Sequence, residues 1–269
     1  MVCCAVGGSD LRLKAILLGS AAALSTIDRD NSSLAVQIGK DVLIVDCNGT
    51  PARKLAKVGL DFTRIDNILI SHHHPDHIYG LPSLLHEMLL RDRKHAVNIS
   101  CPETSLEVLK DLFDLYFREE QGMFEARFIP IELGEKVSVL RTSEYEIQSS
   151  PMVHGVETLA YRFDEKDGKS IVYISDTAPN ENLVRLASGT DVLFHDCNYP
   201  SRYEGKAKET RHTTALQAGK IARDAGVKKL VLIHIGQESL GNEADLIREA
   251  KSTFPGEVLL GYDFMVLEQ

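Results

Sequence analysis

No run of the 269 residues is apolar for long enough to form a membrane-spanning helix, which takes about 20 residues. No Cys-x-x-Cys spacing occurs among the five cysteines, Cys3, Cys4, Cys47, Cys101 and Cys197. An odd number, with two adjacent, suits neither a disulfide framework nor a zinc ribbon and reads as reduced thiols in a cytoplasmic protein. Positive charge is not in excess either: 30 Lys and Arg stand against 39 Asp and Glu, for a net charge of −9. Broad nucleic-acid coating wants clustered Lys and Arg, so that class is disfavoured. Bound metal ions would add local positive charge that the count omits. No internal repeat, linker or low-complexity tract appears. The remainder, 43% hydrophobic and 26% charged, is ordinary globular composition, able to bury a core without disulfides. It reads as one domain over residues 1–269, with residues 1–10 a patternless, disordered or non-native extension. Arg12 and Lys14 before the small and apolar residues 15–24 imitate a secretory leader. Cleavage there would remove the first core strand, and the strand is the reading preferred.

What is present is a cluster of metal donors: Ser71-His72-His73-His74-Pro75-Asp76-His77. It follows the apolar run Ile68-Leu69-Ile70, a buried strand, and precedes Ile78-Tyr79-Gly80-Leu81-Pro82, which opens a helical pattern to about Leu90. A strand end feeding a helix start is where α/β proteins place chemistry. Imidazole and carboxylate together suit a borderline divalent cation, zinc being the usual guest. A surface histidine cluster or tag remnant is the alternative, and a tag would sit at a terminus. In an extended segment His73 faces away from its neighbours, a spacer rather than a ligand.

Further polar residues stand directly after apolar runs. His154 follows the strand over residues 145–153, Asp176 follows Ile171-Val172-Tyr173-Ile174, and His234 follows Leu230-Val231-Leu232-Ile233. Alone, each is more often a satisfied structural residue than a ligand. Asp46 ends a strand as well, either as a turn residue or to fix ligand geometry.

Strands are predicted over residues 11–18, 34–38, 42–46, 97–101, 124–131, 136–140, 145–149, 158–163, 170–174, 192–194 and 230–233, with one or two more in the tail from 258 to 267. Helices are predicted over 51–58, 102–117, from 180 to 189, from a Thr213-Thr214 cap to 225 and over 242–254. Leu106, Leu109, Leu112, Phe113 and Phe117 fall at helical spacing and read as core. The order fits two sheets with helices outside, a four-layer αββα sandwich of the α/β class.

His72-x-His74-x-Asp76-His77 resembles the signature of the metallo-β-lactamase superfamily. With Asp46-Cys47-Asn48-Gly49-Thr50, the segment from Val58 to Asp66 and Gly80-Leu81-Pro82, the chain looks like the ribonuclease Z branch, which trims 3′ ends of precursor tRNA. The resemblance runs from about Lys14 to the C-terminus. It implies the αββα fold and two divalent metal ions, zinc or alternatively manganese. His72, His74 and His154 would hold one ion, Asp76, His77 and His234 the other, and Asp176 both. It implies that hydroxide held between the ions attacks phosphorus, with Asp76 orienting it. His195-Asp196-Cys197-Asn198 stands where the branch has His-Glu-Ala-Thr, and His212-Thr213-Thr214 resembles its His-Ser-Thr. By position His212 would protonate the leaving oxygen and Asp196 would orient it. His86 and His95 are read as non-catalytic. The branch also implies a homodimer.

Departures matter for the substrate. Asp196 is shorter than the usual Glu. The segment from Asp46 to Thr50 is one residue short, and residues 18–23 replace a loop richer in Gly and Thr. Only 21 residues separate His154 from Asp176, where the tRNA-processing enzymes carry a long arm. The expected function is therefore a dinuclear phosphodiesterase acting on an RNA 3′ end or a small diester. The alternatives are a hydrolase of the same fold acting on a sulfate ester, lactone or thioester, and a non-catalytic metal-dependent binding or sensor protein.

Overall fold

Alternation along the first strand sets the layering. In the computed structural model, which describes residues 13–166 and 168–269, Leu13, Ala15 and Leu17 point into one buried layer while Ile16 and Leu18 point into another. A strand apolar on both faces must be covered on both. The chain builds β1 (Leu13–Gly19), β2 (Ser33–Ile38) and β3 (Asp41–Val45), then helix α1 (Pro51–Lys57) and β4 (Asn67–Leu69). Helices α2 (Pro75–Ile78) and α3 (Leu81–Leu90) follow, then β5 (Val97–Pro102), α4 (Glu103–Phe117) and β6 (Ala126–Ile131). The second half holds β7 (Val137–Arg141), β8 (Tyr145–Met152), β9 (Thr158–Glu165), β10 (Ser170–Ile174), α5 (Glu181–Ala187) and β11 (Val192–Asp196). It closes with α6 (Glu204–Thr210), α7 (Ala215–Asp224), β12 (Lys229–Ile233), α8 (Glu243–Thr253), β13 (Glu257–Leu260) and β14 (Val266–Glu268).

Two seven-stranded sheets result, β14-β1-β2-β3-β4-β5-β6 and β13-β12-β11-β10-β9-β8-β7. Each is antiparallel where hairpins connect its strands and parallel where helices cross over, along β3-β4-β5-β6 and β10-β11-β12-β13. Their inner faces share one core, with Val36, Val45 and Leu69 meeting Tyr161, Phe163 and Tyr173. One outer face is covered by α1, α3 and α4 and the other by α5, α7 and α8, giving the αββα order expected. The last strand returns to the first sheet, pairing Ala15 with Leu267. The 1–10 extension and residues 11 and 12 of the expected first strand lie outside the described residues, as do Cys3 and Cys4.

Two local departures from the sequence reading have physical causes. The single helix expected from Ile78 to Leu90 is two. Gly80 interrupts it because the chain runs against residues 48–51 there, and a Cβ on Gly80 would lie 2.8 Å from the Asn48 carbonyl carbon. Its N–H donates to the Cys47 carbonyl, which ties the helix start to the strand ends below it. The second departure is α6, absent from the sequence reading. It is seven residues long, contains Gly205 and has no side-chain cap, so its local signal is weak.

The second sheet supports the metal-donor segment of the first from beneath. The buried Tyr161 hydroxyl donates to the Ile70 carbonyl at 2.7 Å, and the Leu159 N–H donates to the Ser71 carbonyl at 2.9 Å. Removing the hydroxyl leaves a buried carbonyl without that donor. Tyr161→Phe is expected to cost about 1–3 kcal/mol in urea unfolding, with the m-value unchanged.

Candidate metal centre

The donor residues sit where strands of both sheets end. Asp46 leaves β3, the Ser71–His77 segment follows β4, Asp176 follows β10, Asp196 closes β11 and His234 follows β12. His154 lies just beyond β8. Two of these residues are held in left-handed backbone conformation, Asp46 at φ 60° and His234 at φ 56°. Such positions cost about 1–3 kcal/mol each and persist only where the surroundings fix them. Both side chains are buried and bonded, which supplies that constraint.

Ring nitrogens and carboxylate oxygens converge in two adjoining clusters. In the first, His72 Nε2 lies 2.9 Å from His74 Nδ1, and His154 Nε2 lies 3.3 Å from that same Nδ1. Asp176 Oδ2 stands 3.8 Å from His72 Nε2 and 3.6 Å from His154 Nε2. In the second, His77 Nε2 is 3.3 Å from Asp76 Oδ2 and 3.4 Å from Asp176 Oδ1. His234 Nε2 is 3.1 Å from Asp176 Oδ1 and 3.9 Å from Asp76 Oδ2. Asp176 thus turns one oxygen to each cluster. His73 points elsewhere, its Nδ1 3.0 Å from Ser105 Oγ, as a spacer should.

These residues fit divalent cations. Ligands on a tetrahedral ion at 2.0–2.1 Å stand about 3.3 Å apart, close to the spacings found. His77 Nε2 and His234 Nε2 are buried and have no partner in hydrogen-bond geometry, although carboxylates lie within ion-pair distance. Orphaned buried ring nitrogens facing carboxylates want a cation between them. Their other nitrogens are taken. His77 Nδ1 donates to Asp46 Oδ2 at 2.8 Å, and His154 Nδ1 donates to the Arg211 carbonyl at 3.3 Å. His72 Nδ1 lies 3.0 Å from Ser71 Oγ, and His234 Nδ1 lies 3.5 Å from Asp196 Oδ1. Such outer contacts fix which nitrogen faces inward. Asp46 also accepts from Ser71, by Oδ1 from its N–H at 2.8 Å and by Oδ2 from its hydroxyl at 2.9 Å. Of the two readings of Asp46, its contacts favour fixing the histidine segment.

Asp196 is enclosed by backbone donors, Thr177 N at 3.2 Å, Thr213 N at 3.2 Å and Asn198 N at 3.0 Å. Its Oδ2 accepts from His212 Nδ1 at 3.0 Å. The His212 ring stacks on His234 at 5.1 Å between centroids and lies edge-on to His154, also at 5.1 Å. All nine expected site residues therefore gather at one edge of the sandwich. His195 does not join them: it is buried and its Nδ1 donates to the Asp196 carbonyl. His86 and His95 are exposed and apart. Cys47, Cys101 and Cys197 are free, and burial pushes all three thiols up, Cys101 to about 12, so they are inert. The sequence reading missed Arg211, whose carbonyl faces His154, and Ser175, whose hydroxyl accepts from the Asp176 N–H at 2.6 Å. Arg211 adjoins the His212-Thr213-Thr214 stretch without matching a motif position, and no motif marks Ser175.

This fold with this edge is that of a metallo-β-lactamase-type protein. The family model described as beta-lactamase superfamily domain matches residues 43–235, and the chain belongs to that family. Among its relatives, the ribonuclease Z of Halorubrum lacusprofundi is 27% identical, covering 96% of this chain and 97% of its own length. That of Azobacteroides pseudotrichonymphae is 29% identical, covering 90% and 94%. The Halorubrum alignment runs over 307 positions, more than this chain has residues, so that relative carries segments without a counterpart here. Among solved structures, the metallo-beta-lactamase fold protein YhfI from Bacillus subtilis superposes with a TM-score of 0.83 at 22% identity, covering 97% of this chain and all of that one. The short form of human tRNase Z gives 0.78 at 24% identity, covering 94% and 98%.

The metal-free electrostatics carry a measurable consequence. Burial opposes charge on His234, but Asp176, Asp196 and Asp76 outweigh it and push the ring up to about 10. His77 is likewise buried, and Asp176 and Asp46 raise it well above the usual imidazole value. Burial, reinforced by the neighbouring His77, lowers His72. At pH 7.5 the second cluster therefore holds protons where a cation would need lone pairs. Adding zinc is expected to release between one and two protons per protein, and affinity is expected to rise with pH until His234 deprotonates near 10. Calorimetry at pH 7.5 in buffers of different ionisation enthalpy measures the release directly.

Proposed function

We propose that this chain is a dinuclear metal-dependent phosphodiesterase resembling ribonuclease Z. The observation that carries the reading is the Asp196–His212 pair set against both metal clusters. A carbonyl substrate with a good leaving group does not need a second, positioned acid; a ribose alkoxide does. The ribonuclease Z relatives at 24–29% identity over most of the chain support the same chemistry.

His72, His74, His154 and Asp176 are the residues for one cation, and Asp76, His77, His234 and Asp176 for the other. Imidazole-rich donors favour zinc, with manganese second. Bound there, the cations supply Lewis-acid charge at the phosphoryl oxygens and lower the pKa of an attacking water. The Asp76 side chain is mostly covered, and against the effect of that burial the rings of His234 and His77 hold its carboxyl well below the usual range. It can therefore accept a proton-bearing hydrogen bond from water and aim it. His212, steadied through Nδ1 by Asp196, is placed to donate from Nε2 to the leaving oxygen. Asp196 keeps that ring in the right tautomer and stabilises its charge.

A second reading, a small diester instead of RNA, rests on one observation. Among the described residues between His154 and Asp176, the regular structure is the antiparallel β9–β10 pair.

The first test times cleavage of a 3′-extended precursor tRNA beside a chromogenic small phosphodiester, with zinc or manganese loaded. His212→Ala is expected to slow the reaction by about 10²–10⁴-fold, most for poor leaving groups. Cleavage of the tRNA supports the RNA reading, and turnover of the diester alone supports the small-substrate reading. With two metals bound and neither cleaved, the phosphodiester reading fails. Asp176→Ala is expected to lower metal content at both positions, and His72→Ala chiefly at one, by elemental analysis of dialysed protein.

A further inference from the structure

The side chain of Arg211 is unused in the chemistry above, yet it reaches the backbone of His154 from the position next to His212. Its backbone is left-handed, φ 57° and ψ 48°, at the end of α6, where glycine or asparagine is usual. It grips His154 at two points. Arg211 Nη1 donates to the His154 carbonyl at 2.5 Å, and the Arg211 carbonyl accepts from His154 Nδ1 at 3.3 Å. The guanidinium has five N–H donors in a rigid fork, and a neutral carbonyl satisfies one of them. Among the described residues no carboxylate lies within ion-pair distance of it, whereas nearby Lys206 is paired with Glu238. Arg211 is exposed, so the remaining donors meet solvent at the rim.

We propose that Arg211 anchors a second phosphate of the substrate, next to the scissile one. This rests on the phosphodiesterase reading and deepens it. A scissile phosphate resting on the clusters would sit at the Nε2 end of His154. Arg211 is fixed to the backbone end of the same residue. One imidazole side chain therefore separates the guanidinium from the scissile group, which puts it beyond that phosphate and toward the next one along a strand. A planar fork suits phosphate oxygens better than a point charge does. The site would then prefer a polynucleotide strand to an isolated diester, even in a chain of net charge −9.

Arg211→Asn is the test variant, because asparagine tolerates this backbone and leaves the carbonyl acceptor for His154 in place. Kinetics would be run on a short single-stranded RNA and on bis(p-nitrophenyl) phosphate, which has one phosphate, with metal content checked. The expected result is a KM for RNA raised about tenfold with kcat and the small diester nearly unchanged. Arg211→Lys should recover part of the loss. The slope of log affinity against log salt, from fluorescence anisotropy of a labelled oligonucleotide, should fall in magnitude by about 0.7 in Arg211→Asn, the value for one phosphate contact on a single strand. Equal loss on both substrates would make Arg211 only a positioning residue for His154 and overturn the proposal. An unchanged RNA KM and salt slope would overturn it too. If the wild type cleaves neither substrate, the phosphodiesterase reading falls, and the salt slope still decides whether Arg211 holds a phosphate.

Discussion

A buried carboxylate with both oxygens committed organises this molecule. Asp176 is almost fully enclosed, and burial alone would neutralise it, yet His234, His77 and His72 around it hold it ionised. One oxygen faces each donor cluster, so the two clusters cannot move independently. An anion so placed needs compensating positive charge at close range. Protons on His77 and His234 can supply it, and so can divalent cations. The second solution also satisfies ring nitrogens that otherwise have no partner. The pressure to bind metal comes from the fold, because desolvation is what makes the uncompensated site costly.

The sandwich is suited to impose that desolvation. Donors reach the edge from both sheets, and short polar links across the layers set their heights. Tyr161 holds Ile70, Leu159 holds Ser71, and the hydroxyls of Ser175 and Ser71 approach to 3.2 Å from opposite sheets. Left-handed backbone at Asp46 and His234 turns two side chains back toward the edge just where their strands end. Regular structure therefore sets where each strand ends, and the short segments just beyond those ends, cross-linked in this way, carry the donors.

How much of this was legible depended on range in sequence. The Ser71–His77 cluster could be read outright, because five donors in seven residues have few other uses. The layer order followed from apolar runs bounded by turns, and His154, Asp176 and His234 from polar residues ending such runs, once the family resemblance tied them together. Contacts between distant segments left no trace. The grip of Arg211 on His154 joins residues 57 apart through a backbone carbonyl, which any residue provides. Helix α6 lacks a side-chain cap and contains a glycine, so its seven residues give little local signal. The Gly80 break is a steric fact about residues 48–51, invisible to helical periodicity.

The shorter acid at position 196 illustrates how a departure from a family pattern can be absorbed. The shorter side chain does not lose His212: Asp196 Oδ2 keeps that ring at 3.0 Å while Oδ1 lies 3.5 Å from His234. Three backbone N–H groups from three separate turns clamp the carboxylate, so it needs no length to reach its partners. The same clamp ties the leaving-group acid of the proposed mechanism to a residue of the second cluster. In that mechanism charge at the cation and charge on His212 are felt by one carboxylate. Its two oxygens divide between them as those of Asp176 divide between the clusters. Two shared carboxylates in series, Asp176 and Asp196, with His234 between them, make the edge a single electrostatic unit.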